Sequence, residues 1–319
     1  MYVLGETSPA PAGIRGGVVA IGNFDGVHLG HQALLHAGLE VAENIGKPLG
    51  VLTFEPHPRS FFRPDEPVFR LSPKAWKLRL LKAMGVQFTD IATFDRALAS
   101  LEAAEFVERI LLERLGVAHV VTGYDFHFGR GRKGSPDALR GFGEKHGFGV
   151  TIVDQVTGAD GVAPYSSSYI RTALRRGHVS HAASQLGYWW SLMGTVVEGD
   201  KRGREIGYPT VNIALPPGCE PHEGIYAVRV RRAANGADCW RGAAYIGYRP
   251  TFETSRLFLE VYLFDFEGDL YGEELIVEFI SFIRPDRKFD GLEPLLEQMA
   301  KDCTEINRRL ETIAQDDPM

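Results

Sequence analysis

Two histidines three residues apart in a glycine-rich turn are the residues of this sequence best suited to do chemistry. They are His28 and His31, within the segment GNFDGVHLGH at residues 22–31. Imidazoles at positions i and i+3 face the same way on a helix and could donate hydrogen bonds to a pentacoordinate phosphorus. The first N–H groups of a helix also attract phosphate. The segment therefore predicts a phosphate-transfer site, and a pair of histidines that only caps a helix is the alternative.

The flanking residues predict that this turn joins a strand to a helix. Residues 18–21 form a short apolar run with the β-branched content of a buried parallel strand, and residues 32–40 have helical spacing. Open α/β sheets bind nucleotides at such strand-to-helix turns. Gly22 and Gly26 permit tight backbone geometry, and Gly30 leaves space where a substrate must approach.

Residues 22–31 resemble the His-x-Gly-His signature of the nucleotidyltransferase superfamily. The part GNFDGVH is similar to one branch of it, the bacterial bifunctional riboflavin kinase/FMN adenylyltransferases. The resemblance implies a Rossmann-like domain with a parallel sheet that adenylylates FMN with ATP to give FAD and pyrophosphate, with His28 and His31 as catalytic residues. It implies ligand binding by further residues of this segment: Gly22, Asn23, Phe24, Asp25 and Gly30.

Three more segments of the first half resemble binding motifs of that family. Residues 54–58 (FEPHP) resemble a loop on the flavin side of the adenylyltransferase site, although composition fits a rigid connecting loop equally well. Residues 123–134 form a glycine-rich aromatic and basic loop, and residues 165–171 (YSSSYIR) begin a helix that the serines could simply cap. The resemblance implies a catalytic role for Arg171 and binding roles for seven residues: Phe54, Pro56, Pro58, Asp125, Phe128, Ser167 and Ser168.

Two residues of these segments depart from the family pattern. His127 stands where many members carry Arg, and Ser168 replaces Thr while keeping a hydroxyl. Pro56 and Pro58 are expected to exclude helix and hold their loop extended.

From residue 188 the pattern changes to short strand-like runs separated by turn residues. These runs cover residues 193–198, 224–230, 243–246, 258–264 and 275–280, and a helix follows from 292 to about 310. Several short strands with a terminal helix predict a small closed β-barrel. We therefore expect an α/β domain at residues 1–185, the FMN adenylyltransferase, and a β-barrel domain at residues 186–319, the riboflavin kinase.

A basic, glycine-punctuated loop precedes a possible metal site in the second half. The segment GDKRGREIGYPTVN at residues 199–212 could wrap phosphates through backbone N–H groups. Thr210 and Asn212 lie two apart on an extended segment, so their oxygens point to one side and could hold Mg²⁺. A charged hairpin loop is the alternative. The segment resembles the riboflavin kinase signature, which implies binding by four residues: Gly203, Arg204, Gly207 and Tyr208.

Glu260 is the candidate general base of the second half. It lies in the apolar run LEVYLFDF at residues 259–266, where partial desolvation would suit a base. An edge-strand glutamate that faces water is the alternative. The run resembles the catalytic strand of the kinase family, which implies that Glu260 activates the riboflavin 5′-hydroxyl. Tyr245 and Tyr248 stand where Asn and Thr are frequent in relatives.

Composition narrows the class of protein further. A net charge of −6 over 319 residues argues against nucleic acid as the main partner. The three cysteines are widely spaced and show no disulfide or metal-ligand pattern. No apolar run approaches membrane-spanning length. Residues 1–15 are expected to form a loose lead-in, a segment without regular secondary structure. We expect a cytoplasmic enzyme, a monomer or weak homo-oligomer, with small-molecule partners and no membrane or nucleic-acid partner.

The expected function has two steps, riboflavin to FMN and FMN to FAD, with ATP as co-substrate and Mg²⁺ as cofactor. Two rival functions remain. One is an adenylyltransferase acting on a non-flavin phosphate, with the barrel as a passenger. The other is a flavin-sensing protein that binds ligand without chemistry. Neither rival function requires the His-x-Gly-His segment, the Pro-Thr-x-Asn segment and Glu260 to occur together.

Overall fold

The computed structural model describes residues 1–4, 10–157, 164–199, 203, 206–215, 218–234, 238–250 and 255–313, with the backbone alone for residues 248–250, 255 and 256. Its contacts divide the chain into two compact units. The first unit comprises Met1–Val68 and Lys77–Tyr165, and the second comprises Phe69–Trp76 and Ser166–Met319. Residues 166–185, assigned by the sequence to the first domain, thus make their contacts within the second unit.

The first unit is built on a six-stranded sheet in which all paired strands are parallel. The order across the sheet is β1-β4-β3-β2-β5-β6. The apolar run before the histidines forms β2, which is buried throughout. The strands are β1 Tyr2–Leu4, β2 Val18–Ile21, β3 Leu49–Glu55, β4 Phe88–Thr93, β5 His119–Gly123 and β6 Gly149–Val153.

Helices connect these strands, as parallel pairing requires. Helix α1 begins directly after the glycine-rich turn, and its buried Leu34 and Leu35 face the sheet side of the unit. A π-helix, Val107–Leu115, continues α5. The helices are α1 Leu29–Ile45, α2 Pro58–Phe62, α3 Lys74–Ala83, α4 Arg96–Ser100, α5 Ala103–Phe106 and α6 Pro136–His146.

Two expectations for the first unit are wrong. Residues 2–4 form edge strand β1, paired with β4, and are not a loose lead-in. Pro58 begins helix α2, although we expected both prolines to exclude helix. The first position of a helix needs no N–H donor, so proline fits there. The His57 ring caps the helix by accepting the N–H of Arg59 at 3.1 Å.

The second unit contains a closed barrel of six antiparallel strands in the order β10-β11-β8-β7-β12-β9. Its interior holds alternate apolar residues such as Val261 and Ala244, which are almost fully buried. The strands are β7 Ser191–Val197, β8 Thr210–Ile213, β9 Gly224–Arg232, β10 Cys239–Pro250, β11 Ser255–Leu263 and β12 Glu274–Arg284.

Three helices complete the second unit: α7 Ser167–Arg175, α8 Val179–Leu186 and the terminal helix α9 Leu292–Thr312. Helix α9 packs on the outer surface of the barrel, where Ile306 is fully buried against Ala227 and Phe264. The expected fold class, a parallel α/β sheet followed by a small β-barrel with a terminal helix, is confirmed. Among the described residues, no helix is both long enough and apolar enough to cross a membrane.

Candidate functional sites

Three of the predicted binding segments follow neighbouring strands of the parallel sheet. Residues 22–31 follow β2, residues 56–58 follow β3, and residues 124–134 follow β5. Strands β3 and β5 flank β2 on its two sides. Because the carboxyl ends of parallel strands share one edge, the three loops begin at the same edge of the sheet. The sheet order also reverses direction between β2 and β5, which is where open α/β sheets bind ligands.

The turn between β2 and α1 holds its backbone in rarely populated conformations. Phe24 and Val27 have φ values of 48° and 38°, and Gly26 has a φ of 85°. Such positions cost energy for non-glycine residues and persist only where the surroundings enforce them. The surroundings do so, because Phe24 and Val27 are 0% and 1% exposed. The buried side chains thus fix the backbone that leads into the histidines.

Residues from β3 support the same turn. The Thr53 hydroxyl donates to the Asn23 carbonyl at 3.0 Å, and Lys77 Nζ donates to Thr53 Oγ1 at 3.4 Å and to Glu55 Oε1 at 3.1 Å. Lys77 is 2% exposed, so its charge is compensated by these neighbours. Thr53 and Lys77 are not among the residues predicted from the sequence. The only signal for Thr53 was a hydroxyl residue inside an apolar strand.

The structure brings His28 and His31 together at the first turn of α1. Their rings stack with centroids 3.7 Å apart, and the Phe24 ring lies 5.1 Å from that of His31. His28 is the N-cap, and its Nδ1 accepts the backbone N–H of His31 at 3.4 Å. A neutral imidazole that accepts at Nδ1 carries its proton on Nε2. His28 Nε2–H is therefore a hydrogen-bond donor at a helix N-terminus.

Gly30 and Asp25 have structural reasons for their identity. A Cβ at Gly30 would lie 3.2 Å from the His28 ring, so glycine keeps space beside that imidazole. Asp25 is 1% exposed and lies inside the turn. Gly22 donates its N–H to Leu52 O at 3.1 Å, which fixes the turn to β3.

An aromatic cluster follows β3. Phe94 contacts Phe54, Phe61 and Phe62 edge-on, with centroid distances of 5.9, 5.4 and 5.8 Å. Phe54 is 9% exposed and Phe62 is 65% exposed, so the cluster extends from the core to the surface. The Glu55–Pro56 peptide beside it is cis. These rings offer an apolar surface at the end of β3.

Phe128 fixes the loop after β5 to the core. It is 5% exposed and its ring lies 5.4 Å from Phe106 and 5.5 Å from Phe126. A β-bridge joins Phe128 to Gly134 and closes the loop. The predicted binding residue Asp125 lies in the exposed part, where its carbonyl oxygen is 2.9 Å from Nδ1 of His127.

Helix α7 carries the serine segment, and all of it belongs to the second unit. Ser166 is the N-cap, accepting the Ser168 N–H at 3.2 Å, so one serine does act as a cap. Ser167 and Ser168 lie in the first turn. Arg171 is 8% exposed, and its Nε donates to Phe69 O at 2.6 Å.

The barrel aligns the predicted kinase residues on its outer face. Asn212 on β8 lies directly opposite Glu260 on β11, and Thr210 lies opposite Tyr262. Directly opposed residues share a face of the sheet. The intervening Val211 and Val261 are paired with each other, and Val261 is fully buried inside the barrel. Glu260, Asn212 and Thr210 therefore share the face opposite to the interior.

Two described glycines before β8, Gly199 and Gly203, lie close to residues of this segment. A Cβ at Gly199 would overlap the Asn212 amide, and one at Gly203 would overlap the Tyr208 carbonyl. Tyr208 N–H donates to Gly203 O at 2.8 Å, and Gly207 has a φ of 84°. Arg204 lies outside the described residues.

Tyr208 lies beside the same face. Its ring contacts Tyr262 edge-on at 5.2 Å. Burial raises the pKa of Tyr208, and the neighbouring Cys303 and Tyr262 act in the same direction. The Tyr208 hydroxyl is therefore neutral and able to donate a hydrogen bond at physiological pH.

The fold and the two sites define a class of chain: a nucleotidyltransferase-type sheet at the N-terminal end and a flavokinase-type barrel at the C-terminal end. Family models agree, since that for FAD synthetase matches residues 11–168 and that for riboflavin kinase matches residues 186–310. The chain belongs to the family of bifunctional riboflavin kinase/FMN adenylyltransferases. The expected family membership is thereby confirmed.

Two curated relatives carry that family name over nearly their whole length. The chain is 39% identical to the protein of Bacillus subtilis over 91% of this chain and 92% of the relative. It is also 39% identical to the protein of Escherichia coli strain K12, over 90% and 91%. A solved structure described as a macrolide-efflux protein from Streptococcus pneumoniae matches with a TM-score of 0.80, 32% identity and 95% coverage of both chains. This likeness supports the fold along the whole chain.

Proposed function

We propose that this chain phosphorylates riboflavin to FMN in its barrel and adenylylates FMN to FAD at its parallel sheet. One observation carries the proposal: the chain holds two groups of candidate catalytic residues, in the order in which the family's two motifs follow each other. They are the stacked histidines at the start of α1 and the Asn212–Glu260 pair on the outer face of the barrel. Neither rival function needs both of them.

In the adenylyl transfer, an oxygen of the FMN phosphate attacks the α-phosphorus of ATP. A new P–O bond forms as the bond to pyrophosphate breaks, in line and without a covalent enzyme intermediate. His28 Nε2–H, His31 and Arg171 donate hydrogen bonds to the charge that develops on phosphate oxygens. Each such donor contributes roughly 2–4 kcal/mol of transition-state stabilisation.

The remaining predicted residues of this reaction bind and orient the two substrates. The turn after β2 and the serines of α7 contribute backbone and hydroxyl donors for phosphates. The aromatic residues after β3 and the loop after β5 contribute apolar surface for a planar ring. The predicted binding residues of these segments are Gly22, Asn23, Phe24, Asp25, Gly30, Phe54, Pro56, Pro58, Asp125, Phe128, Ser167 and Ser168.

In the kinase reaction, Glu260 accepts the proton of the riboflavin 5′-hydroxyl while its oxygen attacks the γ-phosphorus of ATP. ADP leaves, and the products are FMN and ADP. Positioning and charge neutralisation are the main requirements of such a transfer. Backbone N–H groups around Gly203, Arg204, Gly207 and Tyr208 bind the phosphates of ATP.

The donor set of the barrel fits Mg²⁺. Mg²⁺ prefers oxygen ligands and usually completes its shell with substrate phosphates and water. Thr210 and Asn212 offer two neutral oxygens on one face, and the missing Cβ of Gly199 leaves space for the Asn212 amide. When bound, Mg²⁺ neutralises phosphate charge. Among the described residues, no cluster of three or more His, Cys, Asp or Glu could hold a metal by itself.

Three further predictions complete the proposed function. By function, the adenylyltransferase comprises residues 1–185 and the riboflavin kinase residues 186–319, and this functional boundary differs from the contact boundary after Tyr165. The enzyme acts in the cytoplasm as a monomer or weak homo-oligomer. Its partners are ATP, riboflavin and FMN, and neither nucleic acid nor membrane is one of them.

The first test is a time course with riboflavin, ATP and Mg²⁺, in which the flavins are separated by chromatography. We expect FMN to rise and then to be converted to FAD. Accumulation of FMN alone would contradict the adenylyltransferase half. Unchanged riboflavin would contradict the kinase half, and unchanged FMN in a second reaction would leave only the rival functions.

The second test separates the two sites with matched variants. We expect His31→Ala to slow FAD formation from FMN about 100-fold or more, while FMN formation stays normal. Glu260→Gln should do the reverse, with a loss of about 100-fold or more in FMN formation. The controls are His36→Ala on the exposed face of α1 and Glu274→Gln at the exposed start of β12. Equal losses of both steps in either site variant would contradict the division between the two sites.

A further inference from the structure

Tyr245 stands next to the proposed base. In the barrel register it lies directly opposite Glu260, which in turn lies opposite Asn212. The three side chains therefore form one row across β10, β11 and β8 on the outer face. Directly opposed side chains have Cβ atoms about 5 Å apart, so Tyr245 and Glu260 are neighbours on this face.

The Tyr245 ring is held in one orientation. Its hydroxyl donates to Asp286 Oδ2 at 2.9 Å, and its ring meets Phe258 edge-on at 5.4 Å. A Cβ at Gly247 would lie 2.6 Å from the same hydroxyl, so the ring extends along β10 over the space that this glycine leaves. These contacts select one of the three staggered side-chain conformations that a tyrosine can adopt.

The surroundings keep the hydroxyl protonated and the hydrogen bond intact. Burial raises the pKa of Tyr245, and the hydrogen bond to Asp286 and the charges of Glu223 and Glu260 act in the same direction. The phenol is therefore a permanent donor across the physiological range.

Glu260 consequently has aromatic neighbours on three sides. Phe258 and Tyr262 precede and follow it by two residues on β11, so all three side chains share a face. Tyr245 lies opposite Glu260 on β10, and Asn212 lies opposite it on β8. Glu260 thus shares a row with Asn212, on the face that also carries Thr210 and on which the proposed Mg²⁺ and ATP phosphates bind.

We propose that Tyr245, held by Asp286, is a positioning residue that fixes the Glu260 carboxylate for phosphoryl transfer to riboflavin. The role rests on the proposed kinase function. Tyr245 acts through Glu260 and through exclusion of water beside it, so its loss should lower kcat. It should leave the KM for ATP unchanged, because the ATP-binding residues lie across the row from it.

The test is a double-mutant cycle on the full chain. Tyr245→Phe keeps the ring and removes the hydrogen bond, and Asp286→Ala removes the acceptor. We expect each change to lower the kcat of FMN formation about tenfold, and the double variant to be no slower than either single one. Asp286→Asn keeps an acceptor oxygen and should restore most of the rate. Tyr271→Phe, at an exposed tyrosine of the same unit, is the control.

Formation of FAD from FMN is measured in the same preparations and should stay at the wild-type rate. Additive losses, an unchanged kcat, or no recovery in Asp286→Asn would each overturn the positioning role. So would a joint fall of both activities with a lower melting temperature, since that describes a merely structural residue. If the wild-type chain leaves riboflavin unphosphorylated, the kinase function itself fails before the variants are compared.

Discussion

Gly30 and Gly141 are two helical glycines at which a methyl group would meet different surroundings. A Cβ at Gly30 would lie 3.2 Å from the His28 ring, whereas one at Gly141 meets nothing within 4 Å. Alanine is favoured over glycine by about 1 kcal/mol in a helix interior, which is the position of Gly141, whereas Gly30 lies in the first turn of α1. We expect Gly30→Ala to slow FAD formation up to about 100-fold by displacing His28, and to spare FMN formation. Gly141→Ala should leave both rates normal, and a normal FAD rate in Gly30→Ala would contradict the importance of the imidazole position.

The three cysteine thiols should be alkylated at different rates, because they differ in burial. Burial raises the pKa of the Cys303 thiol to about 11, with a contribution from the charge of Asp302, while Cys239 is exposed. The thiolate is the reactive form. We expect iodoacetamide at pH 8 to modify Cys239 first and buried Cys219 last, as followed by peptide mass spectrometry. The Cys303 rate should rise about tenfold per pH unit up to about pH 11. Modification of Cys303 as fast as Cys239 at pH 8 would contradict its burial.

At the scale of secondary-structure elements, the sequence predicted the strands and helices well. It predicted the contacts between distant residues less well. The apolar runs and glycine turns correctly predicted a parallel sheet and then a barrel. Strand β1 was missed because three residues are too short for a periodic signal. Tyr245 and Asp286, 41 residues apart, meet only through the strand register, which no local pattern reveals. Lys77 on helix α3 and Thr53 on strand β3 meet only in the tertiary structure, which no local pattern reveals either.

The attachment of α9 to the barrel depends on a buried ion pair. Asp302 accepts two hydrogen bonds from the Nε of Arg284 at 3.1 and 3.0 Å and one from Nη2 at 2.8 Å, and Gln298 adds another at 2.7 Å. Removing one partner of a buried pair costs about 3–5 kcal/mol. We expect Asp302→Ala to lower the free energy of unfolding of the second unit by about that amount. Lys301→Ala, at a side chain that is 72% exposed, should cost less than about 0.5 kcal/mol.

Tryptophan fluorescence in denaturant is the measurement for this prediction. All four tryptophans belong to the second unit: Trp76, Trp189, Trp190 and Trp240. Trp190 is 1% exposed and donates to Leu71 O at 3.0 Å, so its emission should change on unfolding. A shift of the Asp302→Ala midpoint no larger than that of Lys301→Ala would show that the ion pair contributes little to the attachment of α9.

At the scale of the whole molecule, two variants that each lack one of the two reactions should complement each other when they are mixed. His31 belongs to the first unit and Glu260 to the second, and FMN is the product of one proposed step and the substrate of the other. A chain that has lost one step can therefore supply or consume FMN for a chain that has lost the other. This requires FMN to leave the chain that made it.

We expect an equimolar mixture of His31→Ala and Glu260→Gln to convert riboflavin to FAD, although neither variant does so alone at a comparable rate. FMN should accumulate first, because it must reach a concentration at which the second chain binds it. The lag before FAD appears should shorten as the concentration of the Glu260→Gln chain is raised. The measurement is a chromatographic time course, with added FMN as the control that abolishes the lag. Failure of the mixture to form FAD, while each variant retains its own single step, would mean that FMN stays bound to the chain that made it.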